Sequence, residues 1–216
     1  MEVRQLGVVE YREAVALQQQ LRGDLQRGEG PEVLLLLEHP AVYTLGRRSQ
    51  PGDLPMGRDW YLSQGIDVVE TDRGGKLTYH GPGQLVGYPI MHVTDVIAYV
   101  RGLERAIIDA LATEGIASRT RCEEGKDYTG VWVDDRKIAS IGVHVQRGVT
   151  THGFAVNVDN DLQPFEWVVA CGLPETRMTS VCRETGHGEG LDRFRQTMAE
   201  AFLREEVGLR ARTPQA

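Results

Sequence analysis

Three β-type segments follow one another between residues 128 and 158, and they constrain the fold more than any other feature. Residues 128–133, 137–145 and 149–158 are rich in Val, Ile, Tyr and Phe, which favour strands. Asp134-Asp135 and Arg147-Gly148 separate the segments, and such short polar pairs are typical of hairpin turns. The region is therefore predicted to form an antiparallel meander.

Helical patterns surround this meander irregularly rather than alternating with its strands. Apolar residues at helical spacing predict a helix over 11–27, and further helices are expected over 58–64 and 191–206. The strongest helix is predicted to begin after an N-cap at Thr94 and to bury Val96, Ile97, Val100, Leu103, Ile107, Ile108 and Leu111. Further strands are predicted at 33–37, 38–46, 67–71 and 85–91. This arrangement favours one α+β domain over residues 1–209, with a flexible tail at 210–216.

Composition excludes several classes of function. The 24 basic and 31 acidic residues give a net charge of −7, which argues against a general nucleic-acid binder. No apolar run approaches the roughly 20 residues of a membrane span, and the N-terminus lacks a secretion signal, so a cytoplasmic protein is expected. The three cysteines form no Cys-x-x-Cys pair and the histidines no metal-binding spacing, so neither a disulfide framework nor a metal site is predicted.

A glycine-rich segment, residues 73–84, has the sequence RGGKLTYHGPGQ. Gly74, Gly75, Gly81 and Gly83 permit positive φ angles, and their amides can face a carbonyl group or an anion. The segment is therefore predicted to contact a ligand. The alternative for Gly81-Pro82-Gly83 is a simple turn between two strands.

Cys171 and Lys137 are the candidates for covalent chemistry. Cys171 ends an apolar run and precedes Gly172, which leaves room for a substrate beside the thiol. Lys137 begins a strand, where burial of its amino group would favour proton transfer. The alternatives are a buried structural cysteine and a solvated lysine at a hairpin end.

Small residues in two strands suggest a narrow pocket. Gly142, Gly153 and Ala155 could together admit a slim apolar group. Glycines in strands also mark bulges or close sheet packing, and that alternative stays open for each of them.

Taken together, the motifs resemble those of the octanoyltransferases of lipoate synthesis, also called lipoyl(octanoyl) transferases. The matching segments are EHPAVYTLGR (38–47), RGGKLTYHGPGQ, RKIASIGVHV (136–145), GVTTHGFAVNV (148–158), ACGL (170–173) and MTS (178–180). The resemblance implies a mainly antiparallel sheet with flanking helices, of the biotin/lipoate protein ligase type. It departs from the family at Ala170, where proline is common, and at Thr151, where tyrosine is common.

The same resemblance implies an activity and a set of site residues. An octanoyl group would pass from acyl carrier protein to a lysine of a lipoyl domain, without ATP, cofactor or metal. The acceptors would be the lipoyl domains of 2-oxoacid dehydrogenase complexes and the H protein of glycine cleavage. Cys171 would carry the acyl group as a thioester and Lys137 would lower its pKa and move protons. The implied substrate-binding residues are Arg73, Gly74, Gly75, Lys76, Leu77, Thr78, Tyr79, His80, Ser140, Ile141, Gly142, Gly153, Phe154 and Ala155.

Three other functions remain open at this stage. An ATP-dependent lipoate or biotin ligase could share the fold, although the GRGRxGR-like loop of biotin ligases is absent. A thioester hydrolase could use Cys171 with His80 or His152, and a binding module could lack chemistry altogether. Arg47, Arg48, Arg58 and Arg73 are candidate contacts to acidic partner proteins, and the lack of an obvious self-association stripe favours a monomer.

Overall fold

The computed structural model describes residues 1–169, 176–188 and 190–212, with side chains as far as residue 205. The described strands are β1 (Glu2–Val8), β2 (Val33–Glu38), β3 (Val42–Leu45), β4 (Asp67–Glu70), β5 (Thr78–His80), β6 (Gln84–Ile90), β7 (Gly130–Val133), β8 (Arg136–Gln146), β9 (Val149–Asn157) and β10 (Arg177–Met178). The described α-helices are α1 (Tyr11–Gln26), α2 (Arg58–Ser63), α3 (Val96–Thr113), α4 (Val181–Thr185) and α5 (Leu191–Arg212).

The described strands form two sheets. The larger has the order β1-β2-β6-β9-β8-β10, with β7 also paired to β8. Its pairs are antiparallel except for β1 with β2 and β8 with β10. A smaller sheet has the order β4-β3-β5. The predicted α+β class with a mainly antiparallel sheet is confirmed, and the predicted meander corresponds to β7, β8 and β9.

The main sheet is covered on both faces, and β2 shows why its sequence is uniformly apolar. Leu34 and Leu36 pack into the cluster formed with α3 and α5, whereas Leu35 and Leu37 pack toward α1. All four are fully buried. Successive strand residues point to opposite faces, so a strand between two helical layers needs apolar residues at every position.

The first turn of α3 differs from the prediction. Asp95, rather than Thr94, caps the helix by accepting hydrogen bonds from the amides of Ile97 and Ala98. Val96 and Ile97 are exposed, by 42% and 74%. At about 100° per residue, Ile97 lies some 200° from Tyr99, which is buried, and therefore faces away from the sheet.

Three strands were not predicted: β1, β5 and β10. β5 and β10 have only three and two residues, too few for a recognisable alternation. The final helix extends to Arg212 rather than ending at residue 206. Among the helices that the structure describes, none is long and apolar enough to cross a membrane.

Candidate active site

A cavity of about 260 Å³ lies at the edge of β8. β7 pairs with β8 as far as Ser140, and beyond it the amide of Gly74 donates a hydrogen bond to Val143 O, at 2.9 Å. The glycine-rich segment therefore continues the sheet edge where β7 stops. Twelve of the predicted substrate-binding residues line the cavity: Arg73, Gly74, Gly75, Lys76, Thr78, His80, Ser140, Ile141, Gly142, Gly153, Phe154 and Ala155.

Leu77 and Tyr79 do not line this cavity. They pack instead into the core beneath the smaller sheet, with Tyr43 and Phe165. Side chains alternate along β5, so Thr78 faces the cavity while its neighbours face the core. The sequence motif assigned the whole segment to a ligand site, and it did not distinguish the residues that line the cavity from those that pack into the core.

Close packing between backbone segments explains several of the glycines. A Cβ at Gly46 would lie 2.6 Å from the carbonyl oxygen of Gly75, and one at Gly142 would lie 3.0 Å from that of Gly74. Gly81 O accepts from the amide of Gln84, at 3.1 Å, in the turn between β5 and β6. The turn interpretation of Gly81-Pro82-Gly83 is thus confirmed. The amide of Gly74 already donates its hydrogen bond to Val143 O, within the sheet.

Arg73 is buried, with 7% of its surface exposed. Its guanidinium donates to the hydroxyl and carbonyl oxygens of Thr44 and to the carbonyl of Gly74. A guanidinium held in this way keeps its position in the cavity wall. It cannot also belong to an exposed docking surface, so the suggestion that Arg73 contacts a partner protein is wrong.

Lys137 lies near the start of β8, where that strand is flanked by both β7 and β10. Its register partners are Trp132 and Met178, and its carbonyl accepts from the amide of Thr179, at 3.0 Å. Only 2% of Lys137 is exposed, and its Nζ lies 5.3 Å from the Trp132 ring centroid. The predicted burial of Lys137 is confirmed, and its side chain lines the cavity.

A β-bulge orients the side chain of Lys137. Trp132 pairs with Lys137 and the preceding residue of β7 pairs with Ala139, so Ile138 has no partner in β7. Paired residues share a face and adjacent residues do not. The bulge therefore places Lys137 on the same face as Ser140, whereas regular alternation would turn it to the opposite face.

Gly130 makes room for this lysine. Its φ is +134°, and a Cβ there would lie 2.8 Å from Lys137 Cε and 2.3 Å from Ala139 O. The Gly130 amide donates to the fully buried carboxylate of Glu104, at 3.1 Å. A side chain at position 130 and the observed lysine conformation are therefore incompatible.

Cys171, with Ala170 and Gly172, lies outside the described residues. On its N-terminal side, the amide of Val169 donates to Asp53 O, at 3.1 Å. On its C-terminal side, the chain enters β10 and pairs with β8 at Lys137. Val169 and β10, which lie on either side of this segment in sequence, are thus each hydrogen-bonded to the rest of the protein.

Sequence reasoning gave His152 only a minor place, yet it lines the cavity and is 3% exposed. Its Nε2 lies 2.8 Å from Asp72 Oδ1, and His144 Nδ1 lies 2.5 Å from Asp72 Oδ2. The hydrogen bond with His152 holds the pKa of the Asp72 carboxyl well below its usual range. Burial lowers the pKa of His152, an effect that Asp72 opposes. Only the fold reveals this pair, because 80 residues separate its members in sequence.

A buried hydrogen-bond network joins the cavity to Thr179, the residue that follows β10. His80 Nδ1 donates to Gln84 Oε1 at 2.7 Å, and Gln84 Nε2 donates to Asn157 Oδ1 at 2.9 Å. Asn157 Nδ2 donates to Thr179 O at 3.0 Å. Burial lowers the pKa of His80 well below its ordinary value, so a neutral imidazole faces the cavity. The MTS motif is therefore tied to the glycine-rich segment by side chains.

Comparison with known protein families finds a match over most of the chain. A family described as the lipoyl protein ligase A/B catalytic domain matches residues 10–203. An octanoyltransferase of Solibacter usitatus is 47% identical over 208 residues, which cover 93% of this chain and 92% of that protein. An octanoyltransferase of Mycobacterium tuberculosis (strain H37Rv) is 46% identical over 208 residues, with coverage of 93% and 85%.

Solved structures agree at the level of the fold. A crystal structure of lipoate-protein ligase A bound with ATP superposes with a TM-score of 0.76 and 17% identity, covering 96% of this chain and 86% of that one. Biotin protein ligase from Aquifex aeolicus, in complex with biotin and ATP, gives a TM-score of 0.60 and 12% identity, with coverage of 98% and 73%.

Proposed function

Because the chain belongs to the lipoyl protein ligase A/B catalytic domain family, and within it to the octanoyltransferases, we propose that it moves an octanoyl group from acyl carrier protein to a lysine of lipoyl domains through a thioester at Cys171. The biotin/lipoate protein ligase fold predicted from the sequence is confirmed, and the protein is an acyltransferase. One observation carries the proposal. Lys137 is buried and lines the cavity, and the chain that follows Cys171 pairs with β8 at this lysine.

In the first step, the thiolate of Cys171 attacks the carbonyl carbon of the carrier-bound thioester. A carbon–sulfur bond to Cys171 forms, the bond to the carrier's thiol breaks, and Lys137 returns the proton taken from Cys171 to the departing sulfur. Amides near Gly172 or in the glycine-rich segment stabilise the oxyanion. The amide of Gly74 is not among these donors, because it is bonded to Val143.

In the second step, the amine of the acceptor lysine attacks the acyl-enzyme. A carbon–nitrogen bond forms, the bond to Cys171 breaks, and Lys137 takes the proton that the amine loses. Exchange between thioesters is nearly balanced in free energy, and conversion of a thioester to an amide is favourable. No nucleotide is needed, which distinguishes this reaction from that of a ligase on the same fold.

The cavity is suited to a narrow acyl chain. Gly74, Gly75 and Gly142 bring backbone close to its interior, and Phe154 and Ala155 add apolar surface. Burial of about seven methyl and methylene groups, at about 0.8 kcal/mol each, supplies roughly 5 kcal/mol for chain binding. That amount favours octanoyl over much shorter chains.

Both substrates are borne by proteins, so the cavity entrance must accept a protein surface. Arg47 and Arg58 are exposed, and Arg48 is half-buried with its Nη1 2.6 Å from Asp127 Oδ1. We propose these three residues as contacts to an acidic carrier protein. A solved structure of an archaeal lipoate protein ligase is described with its E2 lipoyl domain, which supports lipoyl domains as acceptors. The H protein, the cytoplasmic location and the monomeric state remain predictions from the sequence.

Intact-mass spectrometry after incubation with octanoyl carrier protein tests the proposal. The unaltered protein should gain the mass of one octanoyl group and lose it on addition of a lipoyl domain, without nucleotide. Cys171→Ala should gain none, and Cys122→Ala, a matched change at another cysteine, should behave as the unaltered protein. A stable thioester on Cys171→Ala would contradict the assignment.

Two further outcomes of that experiment correspond to the alternative functions. A requirement for ATP would indicate a ligase. Release of free octanoate at the same rate with and without a lipoyl domain would indicate a hydrolase.

A further inference from the structure

Glu104 is a charged residue on the buried face of α3. It is fully buried, as are Ile107 and Leu111, which lie three and seven positions later on the same face and belong to the apolar core. Removal of a carboxylate from water is costly, and replacement of a buried ion pair by apolar residues often leaves stability unchanged or raises it. The stability of the core therefore does not explain why this position holds a glutamate.

Both oxygens of the Glu104 carboxylate accept hydrogen bonds. Oε2 accepts from the guanidinium of Arg101, one turn earlier on α3, whose side chain is 34% exposed. Oε1 accepts from a residue outside the helix, the amide of Gly130, at 3.1 Å, which is the first residue of β7. A charged acceptor makes a stronger hydrogen bond to an amide than a neutral one does. The buried charge thus joins α3 to one backbone amide of β7.

Gly130 needs an external contact to hold its position. Its φ of +134° is one that other residues rarely adopt, and a Cβ there would lie 2.8 Å from Lys137 Cε, so glycine is required. A glycine backbone has more conformational freedom than that of any other residue. The hydrogen bond from the Gly130 amide to Glu104 restricts this freedom. Glu104 therefore compensates for the flexibility that comes with the space for Lys137.

The position of Gly130 affects the position of the lysine side chain. Gly130 pairs with Ser140 on β8, on the same face of that strand as Lys137, and Ser140 and Lys137 both line the cavity. Because Lys137 Cε lies directly against Gly130, a small movement of this backbone either presses on the lysine side chain or leaves it space to turn. Glu104 does not line the cavity, so its effect on the reaction passes through Gly130.

We propose that Glu104 is a positioning residue for Lys137: its hydrogen bond with the Gly130 amide holds the lysine amine where protons pass to and from Cys171. This inference rests on the proposed function. Loss of the hydrogen bond should lower kcat for octanoyl transfer. The KM for the carrier protein should stay near its unaltered value, because the cavity walls and the protein surface are unchanged.

Two replacements of Glu104 separate its hydrogen bond from its charge. Glu104→Gln keeps one carbonyl oxygen, which the buried Gly130 amide retains while the partly exposed Arg101 turns to solvent. Glu104→Leu removes the acceptor. Measured well below the melting temperature, kcat should fall about 10- to 100-fold in Glu104→Leu, since a displacement approaching 1 Å has an effect of that order. It should stay near the unaltered value in Glu104→Gln.

Leu111→Ala is the control for a loss of stability alone. Leu111 lies two turns beyond Glu104, and its truncation leaves a cavity in the same apolar core. This variant should have a lower melting temperature and an unaltered kcat. An equal fall of kcat in Leu111→Ala or in Glu104→Gln would overturn the inference, as would an unchanged kcat in Glu104→Leu.

The position of Lys137 can also be observed without catalysis. The chain has three lysines, Lys76, Lys126 and Lys137, so isotope labelling of lysine at Cε gives three signals in a nuclear magnetic resonance spectrum. Lys137→Met identifies the signal of interest by its loss. Lys137 Nζ lies 5.3 Å from the centroid of the Trp132 ring, and the ring current of the indole shifts that signal by an amount that depends on their separation.

This shift should change in Glu104→Leu and persist in Glu104→Gln and Leu111→Ala. If the unaltered protein transferred no octanoyl group, the proposed function would fail, and the spectra would still test whether Glu104 positions the lysine. A Lys137 signal at its unaltered frequency in Glu104→Leu would overturn the inference, whatever the activity.

Discussion

Replacement of Gly130 by alanine should displace Lys137 and so remove most of the transfer activity, while the protein remains folded. The added Cβ would lie 2.8 Å from Lys137 Cε and 2.3 Å from the carbonyl oxygen of Ala139. Ordinary contacts begin at 3.4 Å, so the lysine side chain must retreat by more than half an ångström. The carbonyl belongs to a strand that is paired on both sides and has less freedom to move.

The expected loss of stability has two parts. The backbone conformation itself costs about 1–3 kcal/mol for a residue with a Cβ, and overpacking in a close-packed interior adds about 1–3 kcal/mol. Gly125→Ala separates them, because Gly125 has a similar φ of +128° and a Cβ there meets nothing within 4 Å. At about 2–4 °C per kcal/mol, the overpacking alone should make the melting temperature of Gly130→Ala about 2–12 °C lower than that of Gly125→Ala.

The activity assay is transfer of octanoyl from carrier protein to a lipoyl domain, measured well below both melting temperatures. A displacement approaching 1 Å at a reacting group reduces rates by as much as about 100-fold, so Gly130→Ala should lose most of its kcat while Gly125→Ala retains it. Equal kcat values in the two variants would refute the view that Gly130 exists to accommodate Lys137.

Three further outcomes follow from buried polar groups. Lys137→Met should lower transfer by about 10²- to 10⁴-fold without lowering the melting temperature, because an apolar side chain of similar length suits a buried site; a clear loss of stability would contradict this. Asn157→Leu should destabilise the protein by about 1–3 kcal/mol in chemical denaturation, since it leaves Thr179 O without its side-chain donor, and a change under about 0.5 kcal/mol would show that the network is dispensable. Burial lowers the pKa of His39 to about 4, so the unfolded chain binds a proton below about pH 6.5 that the folded protein does not. Stability should therefore fall as the pH drops toward 4, and His39→Gln should reduce that slope by about 1.4 kcal/mol per pH unit, whereas His187→Gln, at an exposed residue, should not.

The sequence predicted the elements whose residues repeat with a clear period. α1, β2, β6 and the β7–β9 meander lie close to their expected positions, because each buries a face that its own sequence defines. β10 could not be predicted in this way, since its two residues become a strand only by pairing with β8, some 40 residues earlier. Ile97 was predicted to be buried but is exposed for a similar reason. The spacing of apolar residues along α3 does not show where the sheet that packs against this helix ends.

The sequence predicted which segments form the candidate site, but it did not predict how their side chains are arranged in space. Motif order was enough to nominate Lys137, but its orientation depends on a bulge at Ile138 that is defined by the register of β7. Arg73 was proposed both as a substrate-binding residue and as a contact to an acidic partner, and its burial depends on acceptors on Thr44, which come from another strand. His152 gains its importance from Asp72, which is distant in sequence.

The two-residue strand β10 has a consequence for measurements of local motion. The bond from the Thr179 amide to Lys137 O lies at its end, and a short strand opens at a lower free energy than the long central ones. Hydrogen exchange at Thr179 should therefore be faster than at the amides of β6 or β9. Its rate reports how often the edge beside Lys137 detaches while the rest of the sheet stays intact.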